Sequence, residues 1–370
     1  MITRLSLKNF AAFENLSIDF SPKINVIIGE NGCGKTQFLK AAYTLTCAGN
    51  ELEAEAKVTK TKAQEKITQK LLRIYKPSGD KIGALNHRGS KAESEVFAEY
   101  ASGCSLQCTF TAKSNLIKLN NKFTPLGAGA GVFIPTKEIL SFLEGISSKN
   151  AHRPTIESLF DDTYFDLVHR LVTPADNLEK KAQWANEKIA NRIGGRFEFE
   201  GSQVQFKSGE YKEYKGRHAS ETYFAPVSQP TFSATMTAEG FRKVGVLQWL
   251  LQNSAVGTGT NGPLFWDEPE ANMNPKLMSL VVEILLELSR NGQQIIVTTH
   301  DYVLLKWFDL LMDKVGKGDH IKFHALYRKE GIVKSETAES YKQLDANAIA
   351  ATYSDLYDAE IERALGSTNP

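Results

Sequence analysis

The chain has 370 residues, of which 42% are hydrophobic and 24% are charged, so its composition is that of a globular protein. Its net charge of +1 excludes a global electrostatic attraction to nucleic acid or membrane surfaces. The chain has no apolar run of transmembrane length and no signal-peptide pattern, so we expect a cytoplasmic protein that does not contact a membrane. Its four cysteines form no metal-binding pattern and are expected to be reduced thiols.

The first third of the chain reads as short strands and two helices, judged from the period of its apolar residues. The predicted elements are a hairpin over 2–8 and 15–20, a buried strand over 24–28, helices over 37–45 and 51–75, a hairpin over 104–112 and 115–120, and a buried strand over 132–135. Residues 76–103 show only a weak pattern, which glycine and proline interrupt.

The rest of the chain alternates helices with strands, which predicts an α/β protein. The predicted elements are a mostly helical block over 137–193, a hairpin over 196–200 and 203–207, a helix over 239–253, a strand ending at Asp267, a helix over 276–290, a strand ending at His300, a hairpin over 321–327 and 332–336, and a helical tail over 340–365.

The run Gly29–Thr36 fits the phosphate-loop pattern G-x-x-x-x-G-K-[ST] in full and lies between a predicted strand and a predicted helix. Glycines let backbone N–H groups converge on phosphate, and the helix N-terminus adds partial positive charge. We expect Lys35 to reach the β and γ phosphates of ATP and Thr36 to ligate Mg²⁺. The candidate nucleotide-binding residues of this loop are Gly29, Asn31, Gly32, Cys33, Gly34, Lys35, Thr36 and Gln37.

Two later strands end in residues that suit phosphate chemistry. The apolar run 263–266 leads into Asp267 and Glu268, where the aspartate is expected to hold Mg²⁺ and the glutamate to orient water. The run 294–299 leads into His300, which is expected to contact the terminal phosphate. Lys35, Glu268 and His300 are therefore the candidate catalytic residues, and Thr36 and Asp267 the candidate metal ligands.

The motifs resemble those of ABC-type ATPases of the RecF, SMC and overcoming-lysogenization-defect (OLD) group, in particular small bacterial AAA15/AAA21-type proteins. The resemblance rests on L-x-x-x-N-F-x-x-F over 5–13, G-E-N-G over 29–32, E-P-E-A-N-M-N-P over 268–275 and T-T-H-D over 298–301. It implies an ABC-type P-loop sheet with an antiparallel β-lobe and an inserted helical arm, and a site that two copies build head to tail.

The resemblance also implies a signature motif on the helix that precedes Asp267. The candidate runs from Thr237 into Glu239 and Gly240, so Glu239 stands where the family often has a serine that contacts the partner's γ-phosphate. A carboxylate cannot donate that hydrogen bond and would repel phosphate, so either Thr237 substitutes or Gly240 and the helix terminus act alone. No Q-loop glutamine can be placed, and Gln107 is a weak candidate.

By resemblance, the chain would be the ATP-hydrolysing sensor or scaffold subunit of an anti-phage system, similar to AriA-like and PtuA-like proteins. Its partners would be further copies of itself, a nuclease effector encoded nearby, and a phage trigger protein or DNA. The alternative is a RecF/SMC-like ATPase in DNA repair or recombination. A transporter subunit is disfavoured, because neither an L-S-G-G-Q-type signature nor a membrane-coupling Q-loop is evident.

The motif positions suggest a division of the chain into four segments. These are an N-terminal ATPase lobe over 1–136, a helical insertion over 137–195, a C-terminal ATPase lobe over 196–339 and a helical tail over 340–370. Residues 57–91 are rich in lysine and arginine, which fits either a phosphate-backbone contact or a solvated helix face. The absence of interleaved aromatic residues favours the solvated face.

Overall fold

A computed structural model describes residues 1–147, 153–173, 180–200, 203–215, 220–227, 231–257, 259 and 261–365. The strands are β1 (Ile2–Phe10), β2 (Phe13–Asp19), β3 (Ile24–Gly29), β4 (Ser94–Tyr100), β5 (Ser105–Phe110), β6 (Lys118–Leu119), β7 (Val132–Ile134), β8 (Gly195–Glu200), β9 (Gln203–Lys215), β10 (Ser220–Pro226), β11 (Phe232–Ser233), β12 (Leu264–Asp267), β13 (Ile295–Thr299), β14 (Ile321–Lys329) and β15 (Ile332–Ala338). The helices are α1 (Lys35–Glu53), α2 (Lys60–Tyr75), α3 (Leu143–Ser147), α4 (Arg153–Leu159), α5 (Asp162–Val172), α6 (Lys180–Ile193), α7 (Glu239–Gln252), α8 (Pro275–Arg290), α9 (Tyr302–Leu311) and α10 (Ala348–Ala364).

A six-stranded sheet in the order β15-β14-β3-β13-β12-β7 forms the centre of the fold. Its inner strands are parallel, whereas β15 joins β14 as an antiparallel hairpin. Parallel strands point their carboxyl ends to one edge, which is where ligands bind in such sheets. The ends of β3, β12, β13 and β7 therefore meet at that edge, so the phosphate loop comes close to Asp267.

Two hydrophobic cores cover the two faces of this sheet. On β3, Val26 and Ile28 belong to one core and Ile27 to the other, as the two-residue period of a strand requires. Trp266 and Phe265 divide in the same way on β12. These strands are buried on both faces, which explains why they read as continuous apolar runs in the sequence.

The antiparallel lobe is a five-stranded sheet in the order β2-β1-β4-β5-β6. The predicted hairpins correspond to β1–β2 and β5–β6. The prediction failed for residues 76–103, because β4 lies within this segment and pairs with both β1 and β5. Every second residue of β4, from Ser94 to Tyr100, is buried, so its alternation was a readable signal.

The single helix predicted over 51–75 is wrong. The helix that follows the phosphate loop continues to Glu53, and a second helix begins at Lys60. The Thr59 side chain accepts a hydrogen bond from the Lys62 amide, which is an N-cap that starts α2. The hairpin predicted over 196–207 was too short, since β9 extends to Lys215 and pairs with β10.

The insertion over 137–195 contains α3 to α6, and the predicted residues 148–152 and 174–179 lie outside the described residues. The helices α3, α5 and α6 lie against the core, whereas α4 is largely exposed. Leu143, Leu167, Leu171 and Ile189 belong to the same core as α7 and α8. The four-segment division stays a prediction.

The predicted tail helix begins later than expected, because a short 3₁₀ turn over Tyr341–Gln343 precedes α10. The Asn347 side chain caps α10 by accepting from the Ala350 amide. Among the described residues, no helix combines the length and apolar character that crossing a membrane requires.

Candidate functional site

The phosphate loop joins β3 to α1, and its glycines adopt a backbone that other residues rarely take. Gly29, Gly32 and Gly34 all have positive φ angles, of 148°, 81° and 86°. A side chain at Gly29 would place its Cβ 2.2 Å from the Leu326 carbonyl oxygen, and one at Gly34 would place it 2.8 Å from the Phe13 ring. These two positions therefore require glycine for both backbone and packing reasons.

Lys35 is the first residue of α1 and its ammonium group lies inside the loop. Its Nζ donates to the carbonyl oxygens of Gly29 at 2.8 Å and Glu30 at 3.2 Å. Arg328 on β14 also holds the loop, by donating to the Gly32 carbonyl at 2.9 Å. Arg328 was not predicted as a site residue, because its contact depends on the parallel pairing of β14 with β3.

The other predicted loop residues differ in their exposure. Asn31 is exposed, whereas Cys33 is buried, and burial raises the pKa of its thiol. Gln37 on α1 accepts a hydrogen bond from the Ala12 amide at 3.2 Å, which ties the β1–β2 turn to this helix. Cys33 therefore supports the loop through packing, and Gln37 supports it through the adjacent hairpin.

Asp267 ends β12 and accepts hydrogen bonds from three threonine hydroxyls. The donor distances are 3.0 Å from Thr36, 2.6 Å from Thr298 and 2.8 Å from Thr136. The structure thus brings the two predicted metal ligands, Thr36 and Asp267, into contact although they lie far apart in the chain. Thr298 and Thr136 were not predicted as site residues, although each stands at the end of a central strand or just after it.

Glu268 follows Asp267 and has a strained backbone, with a φ angle of +48°. A non-glycine residue in this region costs about 1–3 kcal/mol, so surrounding contacts must hold it. The Thr298 hydroxyl accepts from the Glu268 amide at 3.1 Å. The carboxylate lies 3.1 Å from Nδ1 of His300, so the predicted water-orienting and phosphate-contacting residues form a pair.

Glu270 is a buried carboxyl group that holds the strand end carrying His300. Its Oε1 accepts from the Thr299 hydroxyl at 2.6 Å and the His300 amide at 3.1 Å. Its Oε2 has no hydrogen-bond partner within the described part of the chain. Burial raises the pKa of Glu270, while these hydrogen bonds and the nearby His300 oppose the rise.

The candidate signature motif lies at the start of α7, next to the loop that follows Glu268. Glu239 accepts from the Asn272 side-chain amide at 2.9 Å, and a Cβ at Gly240 would lie 3.3 Å from the Met273 Cα. The Thr237 hydroxyl donates to the Ala234 carbonyl at 2.7 Å. In a single copy of the chain, Glu239 and Gly240 therefore lie against residues 272–274.

Lys243 lies one turn further along α7 and connects this helix to Glu268, which follows β12. Its Nζ donates to the Glu268 carbonyl at 3.2 Å, and the side chain is buried. Burial lowers the pKa of Lys243, whereas nearby Glu270 and Glu239 oppose this effect. This contact helps to fix the strained backbone at Glu268.

The weak Q-loop candidate Gln107 lies on β5, within the antiparallel lobe. One of the two strands beside β12 in the central sheet is β7, which is followed by Thr136, and Thr136 contacts Asp267. No Q-loop residue is assigned, and Gln107 has no contact with Asp267 among the hydrogen bonds of the described residues.

The residues at this edge fit ATP and Mg²⁺. The glycine loop presents the N-terminus of α1, and Thr36 and Asp267 offer the hydroxyl and carboxylate oxygens that Mg²⁺ prefers. Bound Mg²⁺ would supply positive charge against the phosphate oxygens. No cluster of three or more histidine, cysteine or carboxylate side chains elsewhere in the described residues suits a metal.

Two family models match the chain. The model described as "AAA domain, putative AbiEii toxin, Type IV TA system" matches residues 136–306, and a second model described as "AAA domain" matches residues 4–46. The first match covers Thr136, the signature candidate, Asp267 and His300, and the second covers the phosphate loop. Both matches agree with the resemblance drawn from the motifs.

The RecF proteins of DNA replication and repair are similar to the chain over part of its length. The protein of Bacillus mycoides is 49% identical over 47 residues, which are 13% of this chain and 12% of that protein. The protein of a Geobacillus species is 23% identical over 190 residues, which are 47% of this chain and 50% of that protein. The chain therefore spans half the length or less of these relatives.

A solved SMC head, bound to the C-winged helix domain of ScpA, has the same fold. It is 15% identical and superposes with a TM-score of 0.53 over 93% of this chain and 99% of that one. This likeness agrees with the central sheet and the antiparallel lobe described above. The site geometry and the two matched models together support a resemblance to ABC-type P-loop ATPases of the RecF- and SMC-like group, and the fold resembles that of an SMC head.

Proposed function

We propose that the protein binds and hydrolyses ATP in a site that two copies build head to tail. The observation that carries this proposal is the direct contact of Thr36 with Asp267, beside the pair formed by Glu268 and His300. In this proposal Lys35 binds the β and γ phosphates, and Thr36 and Asp267 hold Mg²⁺. Glu268 orients the attacking water and accepts its proton, and His300 contacts the γ-phosphate.

The second copy would contribute the start of its α7, with Gly240 and Glu239 facing the γ-phosphate. The N-terminus of a helix favours an anion, whereas the Glu239 carboxylate opposes it. These opposing effects suit slow turnover, with ATP binding closing the pair and hydrolysis opening it. A site of this kind serves as a switch better than as a rapid motor.

We further propose that this switch is the sensor and scaffold subunit of an anti-phage system in the cytoplasm. It would hold a separate nuclease effector and release or activate it when a phage protein or phage DNA appears. Paired lysines support a protein partner over direct DNA contact. In the basic segment, Lys62 pairs with Glu55 at 2.7 Å, Lys66 with Glu51 at 2.8 Å, and Lys70 is buried against Asp166.

A second candidate function is that of a RecF- or SMC-like ATPase in DNA repair or recombination. The RecF matches and the SMC head fold support it as well as they support the first candidate. Several basic residues of the 57–91 segment remain exposed, including Lys57, Lys60 and Arg88, and could contact a phosphate backbone.

Nucleotide binding and turnover test the proposed chemistry. Lys35→Ala should lose ATP binding, because the loop loses its only ammonium group. Glu268→Gln should keep ATP affinity within about twofold and lower turnover by roughly a hundredfold or more, since general-base catalysis contributes that much. Equal turnover in Glu268→Gln and the parent would remove Glu268 from the mechanism.

Copurification separates the two biological roles. The protein and the product of the neighbouring gene would be expressed together, with ATP, alongside the Lys35→Ala variant. An ATP-dependent complex that Lys35→Ala fails to form supports the sensor role. Tight binding of duplex DNA at physiological salt, with no complex, supports the repair role.

A further inference from the structure

A largely buried ion pair joins the segment that follows β7 to the first turn of α7. Oε1 of Glu138 lies 2.9 Å from Nε of Arg242, and the two side chains are only 4% and 13% exposed. Burying two charges is costly unless each is held in good geometry by its partner and by further hydrogen bonds. The pair therefore fixes the two segments that carry it relative to each other.

Glu138 belongs to a segment that reaches the nucleotide site. Two residues before it, the Thr136 hydroxyl donates to Asp267 at 2.8 Å. The Glu138 carboxylate also accepts from the Ser141 amide at 3.2 Å and from the Ser141 hydroxyl. The carboxylate is thus held in place independently of Arg242, and it lies close in the chain to a side chain that contacts a predicted metal ligand.

Arg242 holds the turn that leads into the candidate signature. Its Nη1 donates to the Thr237 carbonyl and, at 3.4 Å, to the Ala234 carbonyl. The Thr237 hydroxyl donates to that same Ala234 carbonyl at 2.7 Å, which closes the turn. A guanidinium has five donors in a fixed planar arrangement, so Arg242 can contact Glu138 and both carbonyls at once. The start of α7 follows directly after this turn.

We infer that Glu138 and Arg242 are positioning residues, which place the signature that one copy presents to the nucleotide of a second copy. This inference rests on the proposed shared site. Because Thr136 contacts Asp267, the same series of contacts ties the position of that signature to the metal side of the copy's own site. In this role neither residue touches nucleotide, so their loss should lower turnover without weakening ATP binding to the loop of the same copy.

The test removes the ion pair without leaving a single buried charge. Glu138→Met made together with Arg242→Met (the paired variant) replaces both partners with adaptable apolar side chains, a change that folded proteins often tolerate. The ATP dissociation constant, measured by isothermal titration in the Glu268→Gln background, should stay within about twofold of the parent, because the loop is intact. Steady-state turnover should fall roughly tenfold to a hundredfold, since a displacement of about 1 Å can cost that much.

Arg290→Met made together with Asp319→Leu is the matched control. These residues form a comparably buried pair at 2.7 Å, with side-chain exposures of 17% and 3%. The pair lies just before β14 begins, at the edge of the central sheet opposite the phosphate loop. The control should keep the parent turnover, even where thermal unfolding shows that it loses as much stability as the paired variant. An equal fall in turnover would overturn the inference, because the loss of any buried ion pair would then suffice.

Mixing variants shows whether the ion pair acts on the signature or on the loop. Lys35→Ala damages the loop and keeps the signature, whereas Ala238→Glu places a charge at the exposed start of α7 and keeps the loop. Mixed with Lys35→Ala at equal concentrations, the paired variant should recover to roughly a quarter of the parent rate, since half of randomly formed pairs are mixed. Mixed with Ala238→Glu, it should gain nothing, because neither copy supplies an intact signature.

Three results would overturn the inference. Recovery with Ala238→Glu in place of Lys35→Ala would mean that the ion pair serves the loop of its own copy. Unchanged turnover in the paired variant would remove the positioning role while leaving the proposed ATP binding and the shared site intact. If Lys35→Ala mixed with Ala238→Glu failed to recover, the shared site itself would fail, and the inference with it.

Arg242→Lys provides a second variant if the paired variant does not fold. Lysine keeps a positive charge opposite Glu138, but a single ammonium group cannot contact that carboxylate and both carbonyls of the turn in the planar geometry of arginine. Arg242→Lys should therefore fold, turn over ATP more slowly, and recover with Lys35→Ala but not with Ala238→Glu. Parent turnover in Arg242→Lys would contradict the positioning of the signature by this guanidinium.

Discussion

Glu270 shows how a single buried carboxyl group can serve the site at the expense of stability. Its Oε1 holds Thr299 and the His300 amide, and its Oε2 is buried without a partner in the described residues. Since burial raises the pKa of this carboxyl group, the folded protein binds its proton more tightly than the unfolded chain does. The charged form that dominates at higher pH is therefore destabilising.

Glu270→Gln should stabilise the fold in a pH-dependent way. Glutamine can accept the same two hydrogen bonds but carries no charge to bury. A raised carboxyl pKa means that the parent loses stability as pH rises above the ordinary glutamate value of 4.5, whereas the variant does not. Thermal unfolding should give equal midpoints near pH 4 and a higher midpoint for Glu270→Gln at pH 7.5. A difference that shrinks as pH rises would refute this account of Glu270.

Residue patterns located part of the site but not all of it. Lys35, Thr36 and Asp267 could be found because their motifs are local runs next to recognisable strands. Arg328 and Thr136 could not, because each reaches the site through strand order. The sequence likewise does not reveal that β7 borders β12, which is what brings Thr136 to Asp267.

At the level of elements, α7 connects residues 268–272, which follow β12, to the surface that a second copy would contact. Lys243 binds the Glu268 carbonyl, and Glu239 binds Asn272. Both contacts lie on the first two turns of the helix. A partner's phosphate placed at this helix terminus would therefore experience the dipole of α7 and the charge of Glu239 together.

Glu239→Ser should speed turnover or strengthen ATP-dependent association. The substitution removes a negative charge from the start of α7 and introduces a hydroxyl donor. An interaction equivalent to one pKa unit changes an equilibrium constant about tenfold, and we expect an effect of that order. Steady-state turnover and light scattering with ATP provide the measurement. If neither changes, Glu239 does not face the phosphate of a second copy.

Element boundaries were predictable where the period was strong and failed where capping or pairing decided them. The helix over 239–253 and the hairpin at 321–336 correspond to α7 and to β14–β15. The break between α1 and α2 depends on the Thr59 cap, which interrupts an otherwise continuous helical composition. The strand β4 was missed although its burial alternates, and only the sheet order shows that it lies between β1 and β5.

For the whole molecule, the central sheet brings distant motifs to one edge, and its two faces are closed by separate cores. The α/β class, the P-loop sheet and the antiparallel lobe could be predicted from motif order. The strand order could not be predicted, because the sequence of a parallel strand does not show which distant strands lie beside it. The period of the apolar residues likewise could not predict that α5 and α6 pack onto the core.

The central claim is that each ATP site takes its phosphate loop from one copy and its signature from another. In a twofold pair, the phosphate loop of each copy faces the signature of the other copy, so the pair holds two shared sites. Lys35→Ala damages the loop, and Ala238→Glu places bulk and negative charge at the exposed start of α7. Each variant alone should be inactive, because both of its sites are damaged.

Mixing these two variants tests the claim most directly. Each mixed pair regains one intact site, built from the loop of the Ala238→Glu copy and the signature of the Lys35→Ala copy. With random pairing at equal concentrations, turnover should recover to roughly a quarter of the parent rate, since half of the pairs are mixed. Absence of recovery, in a mixture that still associates with ATP, would contradict a shared site.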